Sequence, residues 1–151
     1  MATTTKNAER LALEIRRTIK APRERVFQAW TQAEELKRWS APAPLNVAVA
    51  EVDLRVGGRY RITMRRPDGT EMRVEGVYRT VEPPKRLVYT WRWENAPEGS
   101  ESLVTVEFRE QGKATEVVLR HEGLTSEDDR QKHEHGWVGC LDKLEALAPA
   151  L

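Results

Sequence analysis

Three histidines, one cysteine, one inward-placed arginine and a set of aromatic side chains are the residues of this 151-residue chain that could bind or react. His121 closes a run of alternating residues on the apolar side. A neutral imidazole there could orient a polar group of a ligand or act as a general base. A histidine hydrogen-bonded at a cavity edge is the structural alternative, and it is favoured. His133 lies one helical turn before Trp137, shares its face and can reach a pocket rim, whereas His135 points elsewhere, because positions two apart do not face each other on a helix. The two-histidine spacing of zinc proteases is absent, so no metal site is expected. Cys140 falls in an apolar stripe and reads as a small core residue. Arg17 sits on the apolar parity of the first strand. It is either an anion anchor in a pocket or, preferably, a structural ion pair with Glu51 or Asp53. There is no Gly-x-Ser-x-Gly and no phosphate-cradling glycine loop, so no catalytic residue is assigned.

The aromatic residues are more informative. Tyr60, Tyr78, Tyr89, Trp91, Trp93 and Trp137 occupy inward parities of neighbouring elements. Large aromatics shape pockets as well as cores, and Tyr and Trp add polar handles. With Ile62, Met64, Met72, Val74 and Leu141 they form the expected wall of a ligand cavity, to which His121, His133 and Arg17 would contribute polar groups. The alternative is a closed aromatic core.

These residues need a scaffold, and periodicity supplies one. Leu11, Leu13, Ile15 and Ile19 alternate with polar residues, a half-buried strand. Ala21-Pro22 stops it and opens a short helix carrying Val26, Phe27 and Trp30. Thr31 with Glu34 has the pattern of a capping box, predicting a second short helix with Leu36 and Trp39. Leu45, Val47 and Val49 share one parity and Val52, Leu54 and Val56 the other, which predicts a bulge near Ala50-Glu51. Turns at Gly57-Gly58, Pro67-Asp68-Gly69, Pro83-Pro84-Lys85, Asn95 to Ser100 and Gln111-Gly112-Lys113 then separate further alternating segments. From about Ser126, Trp137, Cys140, Leu141, Leu144 and Ala148 recur at helical period. The expected fold is α+β: a curved antiparallel sheet of about seven strands, two short helices, and a long C-terminal helix laid on the concave face.

Residues 1–9 read as a loose tail and 10–151 as one domain. Lys plus Arg total 25 and Asp plus Glu 24, a net charge of +1, which gives no pull toward nucleic acid or anionic membrane. One cysteine permits no internal disulfide, Met1–Arg10 lacks an apolar leader core, and no stretch suits a membrane span; a cytoplasmic location is expected.

Several segments carry a resemblance. They are Arg17–Pro22, Val26–Trp30, Glu51–Tyr60, Pro83–Trp91, His121–Leu124 and Gly136–Leu141. Together they resemble the bacterial branch of the family named for the activator of the heat-shock-protein-90 ATPase, within the START-like or SRPBCC superfamily. The likeness runs from about Leu11 to Leu147. It implies the helix-grip fold and a cavity between sheet and long helix, often used for hydrophobic small molecules. It implies no single activity. Members often carry a second Trp after the position of Trp39, where this chain has Ser40.

Three functions are therefore weighed. The first is a binding protein for a hydrophobic or aromatic small molecule, with no cofactor. The second is a cyclase- or lyase-type enzyme in the same cavity, using His121, Tyr60 and Arg17. The third is a co-chaperone-like interaction module, which needs an exposed apolar patch. The outer parity is mainly Arg, Glu and Thr, which favours the first. A homodimer is compatible with the sequence.

Overall fold

The computed structural model describes residues 11–97 and 99–151. The tail expected over residues 1–9 lies outside them. The chain runs β1 (Leu11–Ile19), α1 (Arg23–Thr31), α2 (Ala33–Trp39), β2 (Asn46–Val52), β3 (Arg59–Arg65), β4 (Glu71–Glu82), β5 (Arg86–Trp93), β6 (Ser102–Gln111), β7 (Ala114–Leu124) and α3 (Glu127–Leu147). All seven strands form one sheet in the order β1-β7-β6-β5-β4-β3-β2, antiparallel at every junction. This is the expected α+β arrangement, a curved sheet gripping the C-terminal helix.

Alternation explains the packing. Leu13, Ile19, Leu87, Val104, Val106, Phe108, Val117 and Leu119 point inward and are buried, and they meet Leu141, Leu144 and Ala148 of the helix end of the chain. Phe27, Trp30 and Trp39 of the short helices join the same cluster. A second, smaller cluster of Ala41, Ile62, Met64 and Val74 forms under β2, β3 and β4.

α3 starts where expected. Ser126 is its N-cap, its Oγ accepting from the Asp129 amide at 3.1 Å, and Glu127, Asp128 and Asp129 follow in the first turn, where the helix dipole favours acids. The helix then passes very close to the loop after α2. A methyl group at Gly139 would lie 2.7 Å from Pro42 Cβ. Gly139→Ala should therefore force α3 from Pro42 and lower stability by about 1–3 kcal/mol, despite alanine's better helix propensity. A urea midpoint equal to or above the parent's would show that the loop simply yields.

Three local expectations are corrected. The bulge lies at Ala48, where register slips between Val47 and Val49. Val49 is consequently turned out, 46% exposed, while Ala50 and Val52 rejoin the core. Leu54 and Val56 do not continue the strand. Asp53 N bonds Arg59 O at 2.9 Å and Arg55 N bonds Asp53 O at 3.0 Å, so the chain turns there and leaves both side chains exposed. Gly57-Gly58 is thus the end of a six-residue connection, and its backbone pairs with Tyr78 of β4. No capping box forms at Thr31. Thr31 is the last residue of α1, its hydroxyl donates back to the Phe27 carbonyl at 2.8 Å, and α2 is capped by Gln32 backbone alone.

Candidate functional site

The two apolar clusters do not merge. Between them lies a cavity of about 400 Å³, bounded by β3, β4 and β5 below, by α1, α2 and the following loop on one side, and by the N-terminal half of α3 above. It reaches solvent where the exposed Lys132 and His135 border it. Tyr60, Ile62, Met64, Met72, Val74, Tyr78, Tyr89, Trp91, Trp93, His133 and Trp137 line it, as expected from parity. The short helices and the loop add Trp30, Leu36, Trp39, Ser40, Pro42 and Leu45, which strand periodicity alone did not bring to the site. Their signal was present, since Trp30 and Trp39 mark the apolar faces of two amphipathic helices; what was missing was how those helices sit on the sheet. All five tryptophans and all three tyrosines of the chain line this one cavity.

The rings pack on one another. Tyr60, Tyr78 and Tyr89 form a triangle with centroids 5.2–6.0 Å apart. Trp30 lies 4.5 Å from Trp39 and stacks at 6.4 Å on Trp137, and Trp91 meets Trp93 edge-on at 4.8 Å.

Three expected residues do not line the cavity. His121 is fully buried behind it and holds Trp137 in place. Trp137 Nε1 donates to His121 Nδ1 at 3.0 Å. Nδ1 is therefore the unprotonated nitrogen, and Nε2 carries its proton to Ser102 Oγ at 2.6 Å. The Ser102 hydroxyl donates onward to the Trp91 carbonyl at 3.1 Å. Burial, reinforced by neighbouring His133, pushes the imidazole pKa down to about 3. With both nitrogens engaged, His121 has no lone pair to offer a ligand. Leu141 is fully buried in the main core. Arg17 turns to α3 instead, pairing with Asp142 at 2.9 Å and Glu145 at 3.4 Å rather than with Glu51 or Asp53. The acids are more than half exposed, so the pair contributes at most about 1 kcal/mol. It tethers the helix's C-terminal half to an edge strand.

His133 holds the rim through Nδ1, 2.9 Å from the Asp129 carbonyl and 3.2 Å from its carboxylate. His135, exposed on α3, also borders the cavity at its mouth, contrary to the helical-wheel expectation. Cys140 faces the cavity from α3, buried, and burial pushes its thiol up to about 12, so it is an inert wall group. Among the described residues no three His, Cys, Asp or Glu side chains are grouped to hold a metal ion, and no helix is long and apolar enough to cross a membrane.

A curved antiparallel sheet that grips a long C-terminal helix over an apolar cavity defines a START-like, SRPBCC-type domain. Residues 20–148 match the family described as Activator of Hsp90 ATPase homolog 1-like protein. The chain belongs to that family. Relatives include the activator of 90 kDa heat shock protein ATPase homolog of Dictyostelium discoideum, 38% identical over 74 residues, which are 48% of this chain and 19% of that one. Homolog 1 of Homo sapiens is 25% identical over 126 residues, 83% of this chain and 33% of that one. The chain thus spans a third or less of these relatives' length. Among solved structures, a Chromobacterium violaceum protein superposes with a TM-score of 0.84 at 26% identity, covering 91% of this chain and 96% of that one. An Hsp90 activator from Plasmodium falciparum gives 0.74 at 26% identity, covering 91% and 95%.

Proposed function

We propose that this domain binds a small hydrophobic, aromatic or lipid-like molecule in the sheet–helix cavity. The observation that carries the reading is the wall itself: about 400 Å³ bounded almost wholly by apolar and aromatic side chains, with ionisable side chains only at the rim and on the two buried, neutral types, Tyr and Cys. Ligand cavities of about 300–1,000 Å³ have this character. An enzymatic use of the cavity has less support. His121 is neutral and fully hydrogen-bonded, Tyr60 donates to the Thr90 carbonyl, and Arg17 pairs with Asp142 and does not line the cavity.

The test is direct, because every tryptophan reports on the site. Titration with neutral N-phenylnaphthylamine should quench tryptophan emission saturably, at one site per chain and with a Kd in the micromolar range, on the order of −8 kcal/mol. Met72→Trp, which fills the cavity from its wall, should weaken binding at least about tenfold while the circular dichroism spectrum is kept. Non-saturable quenching in the parent, or undiminished binding in the folded variant, would refute a binding cavity.

A second reading has one observation behind it. Val49, Leu54 and Val56 are the exposed large apolar side chains among the described residues, and they cluster at edge strand β2 and the loop after it. An edge strand bordered by apolar side chains can accept a partner. The relatives' names suggest a heat-shock ATPase as that partner, and stable co-elution with such a protein, lost on Val56→Lys, would put this reading first.

A further inference from the structure

The cavity wall carries more polar groups than an oil-like pocket needs, and most of them are spoken for. Tyr60 Oη donates to the Thr90 carbonyl at 2.6 Å. Trp39 Nε1 donates to the Ala29 carbonyl at 2.9 Å, Trp137 Nε1 to His121, and Ser40 Oγ to the Leu36 carbonyl at 2.6 Å. Trp30 Nε1 donates to Tyr89 Oη at 3.2 Å. Among the described residues, the lining side chains without a partner are the Tyr78 hydroxyl, the indole N–H groups of Trp91 and Trp93, the weakly bonding Cys140 thiol and, at the mouth, His135. Tyr78 is 3% exposed and lines the cavity, where its hydroxyl meets open space rather than a protein acceptor; among the described residues the enclosed side-chain polar atom without a partner is Arg23 Nε. A polar group that faces a cavity without a protein partner is free to bond a ligand or a water there.

The interior oxygen and nitrogen groups among them can all donate. An indole N–H only donates, and a phenol held neutral donates as readily as it accepts. Burial raises the Tyr78 pKa far above its ordinary value, so it keeps its proton at neutral pH. Among the described residues no ammonium or guanidinium lines the interior. Lys132, at the mouth, is already paired with Asp128 at 3.1 Å. Asp129, also at the mouth, is engaged by Thr125 and His133. Inside the cavity a carboxylate ligand would therefore lose its water with no cation among the described residues to replace it, and an ammonium ligand would find no free carboxylate there.

We infer that the cavity selects uncharged, acceptor-bearing aromatic molecules, such as ketones, quinones or esters, and that Tyr78 is the residue that recognises the acceptor. This rests on the binding reading above and deepens it. Tyr78 is one corner of the tyrosine triangle, and Trp91, Trp93 and Trp137 line the same cavity, so a molecule bonded to it has aromatic walls to pack on.

A matched set with one naphthalene ring separates the terms: ethylnaphthalene, acetylnaphthalene, naphthoate and naphthylmethylammonium, each titrated by tryptophan quenching at neutral pH. Acetylnaphthalene should bind at least about tenfold more tightly than either charged probe. Tyr78→Phe should cost acetylnaphthalene about fivefold and leave ethylnaphthalene within about twofold, since the variant removes one hydrogen bond and keeps the wall. Naphthoate binding as well as the ketone, or a ketone affinity indifferent to Tyr78→Phe, would overturn the inference while leaving the cavity a binding site. Failure of all four probes would remove the binding reading and this inference with it.

Discussion

Gly76→Ala should destabilise the protein by about 3 kcal/mol or more and deform the cavity, although the change adds one methyl group at a half-buried strand position. A Cβ at Gly76 would lie 1.9 Å from the Thr90 carbonyl oxygen and 2.7 Å from Tyr60 Oη. The reason is an opened ladder. β4 and β5 pair at Glu75–Arg92 and again at Tyr78–Tyr89, but Gly76 and Val77 are left out between them. In the gap the Val77 amide donates to Thr90 Oγ1 at 2.8 Å, and the Thr90 carbonyl accepts from Tyr60 Oη at 2.6 Å. Tyr60 sits directly across from Gly76 on β3 and lays its ring over it. Two side-chain hydroxyls thus stand in for ladder bonds, and the crossing phenol leaves no room for a side chain beneath it. Urea denaturation of Gly76→Ala checks this, with probe titration as a second readout. A loss below about 0.5 kcal/mol would mean the close approach is not real, because a fixed carbonyl cannot yield that cheaply.

His121→Leu should cost about 2–4 kcal/mol at neutral pH, because it strips the partners from Trp137 Nε1 and Ser102 Oγ in one step while keeping a similar volume. The same histidine should make the parent protein acid-sensitive. The unfolded chain takes up a proton here near 6.5, whereas the folded one does so only near 3. Between those values the unfolded state binds the extra proton, so stability falls as pH drops through the window, by up to about 1.4 kcal/mol per unit. Stability is fully retained above 6.5. Urea midpoints measured from pH 7.5 to 5 should decline in the parent and decline less in His121→Leu. A parallel decline in both would assign the acid sensitivity to other groups. The window stops at about 5 because carboxylates dominate below it. The trend has a functional side: protonating His121 would break its bond to Trp137, the aromatic that closes one side of the cavity.

Much of this arrangement was legible in the residues. The sheet faces, the helix stripe from Trp137 to Ala148 and most of the cavity wall follow from period-2 and period-3.6 patterning, since a side chain's face is set by its parity along its own element. The bulge at Ala48 was misplaced by two residues because Val49 and Val52 are apolar whichever way they face. Arg17 was rightly expected to pair, but not with Asp142 and Glu145, whose nearness to β1 depends on where the last helix crosses.

What the sequence alone determined is the set of elements, their inward faces and the concentration of tyrosine and tryptophan on them, because those are properties of short stretches of chain. Only the tertiary structure decided that two apolar clusters stay apart and leave room between them, that Trp30 and Trp39 close that room, that Tyr60 replaces a ladder bond over Gly76, and that His121 is spent holding Trp137. Each of these depends on distances between residues far apart in the chain, and such distances are set by how helices and sheet pack against one another rather than by any local pattern.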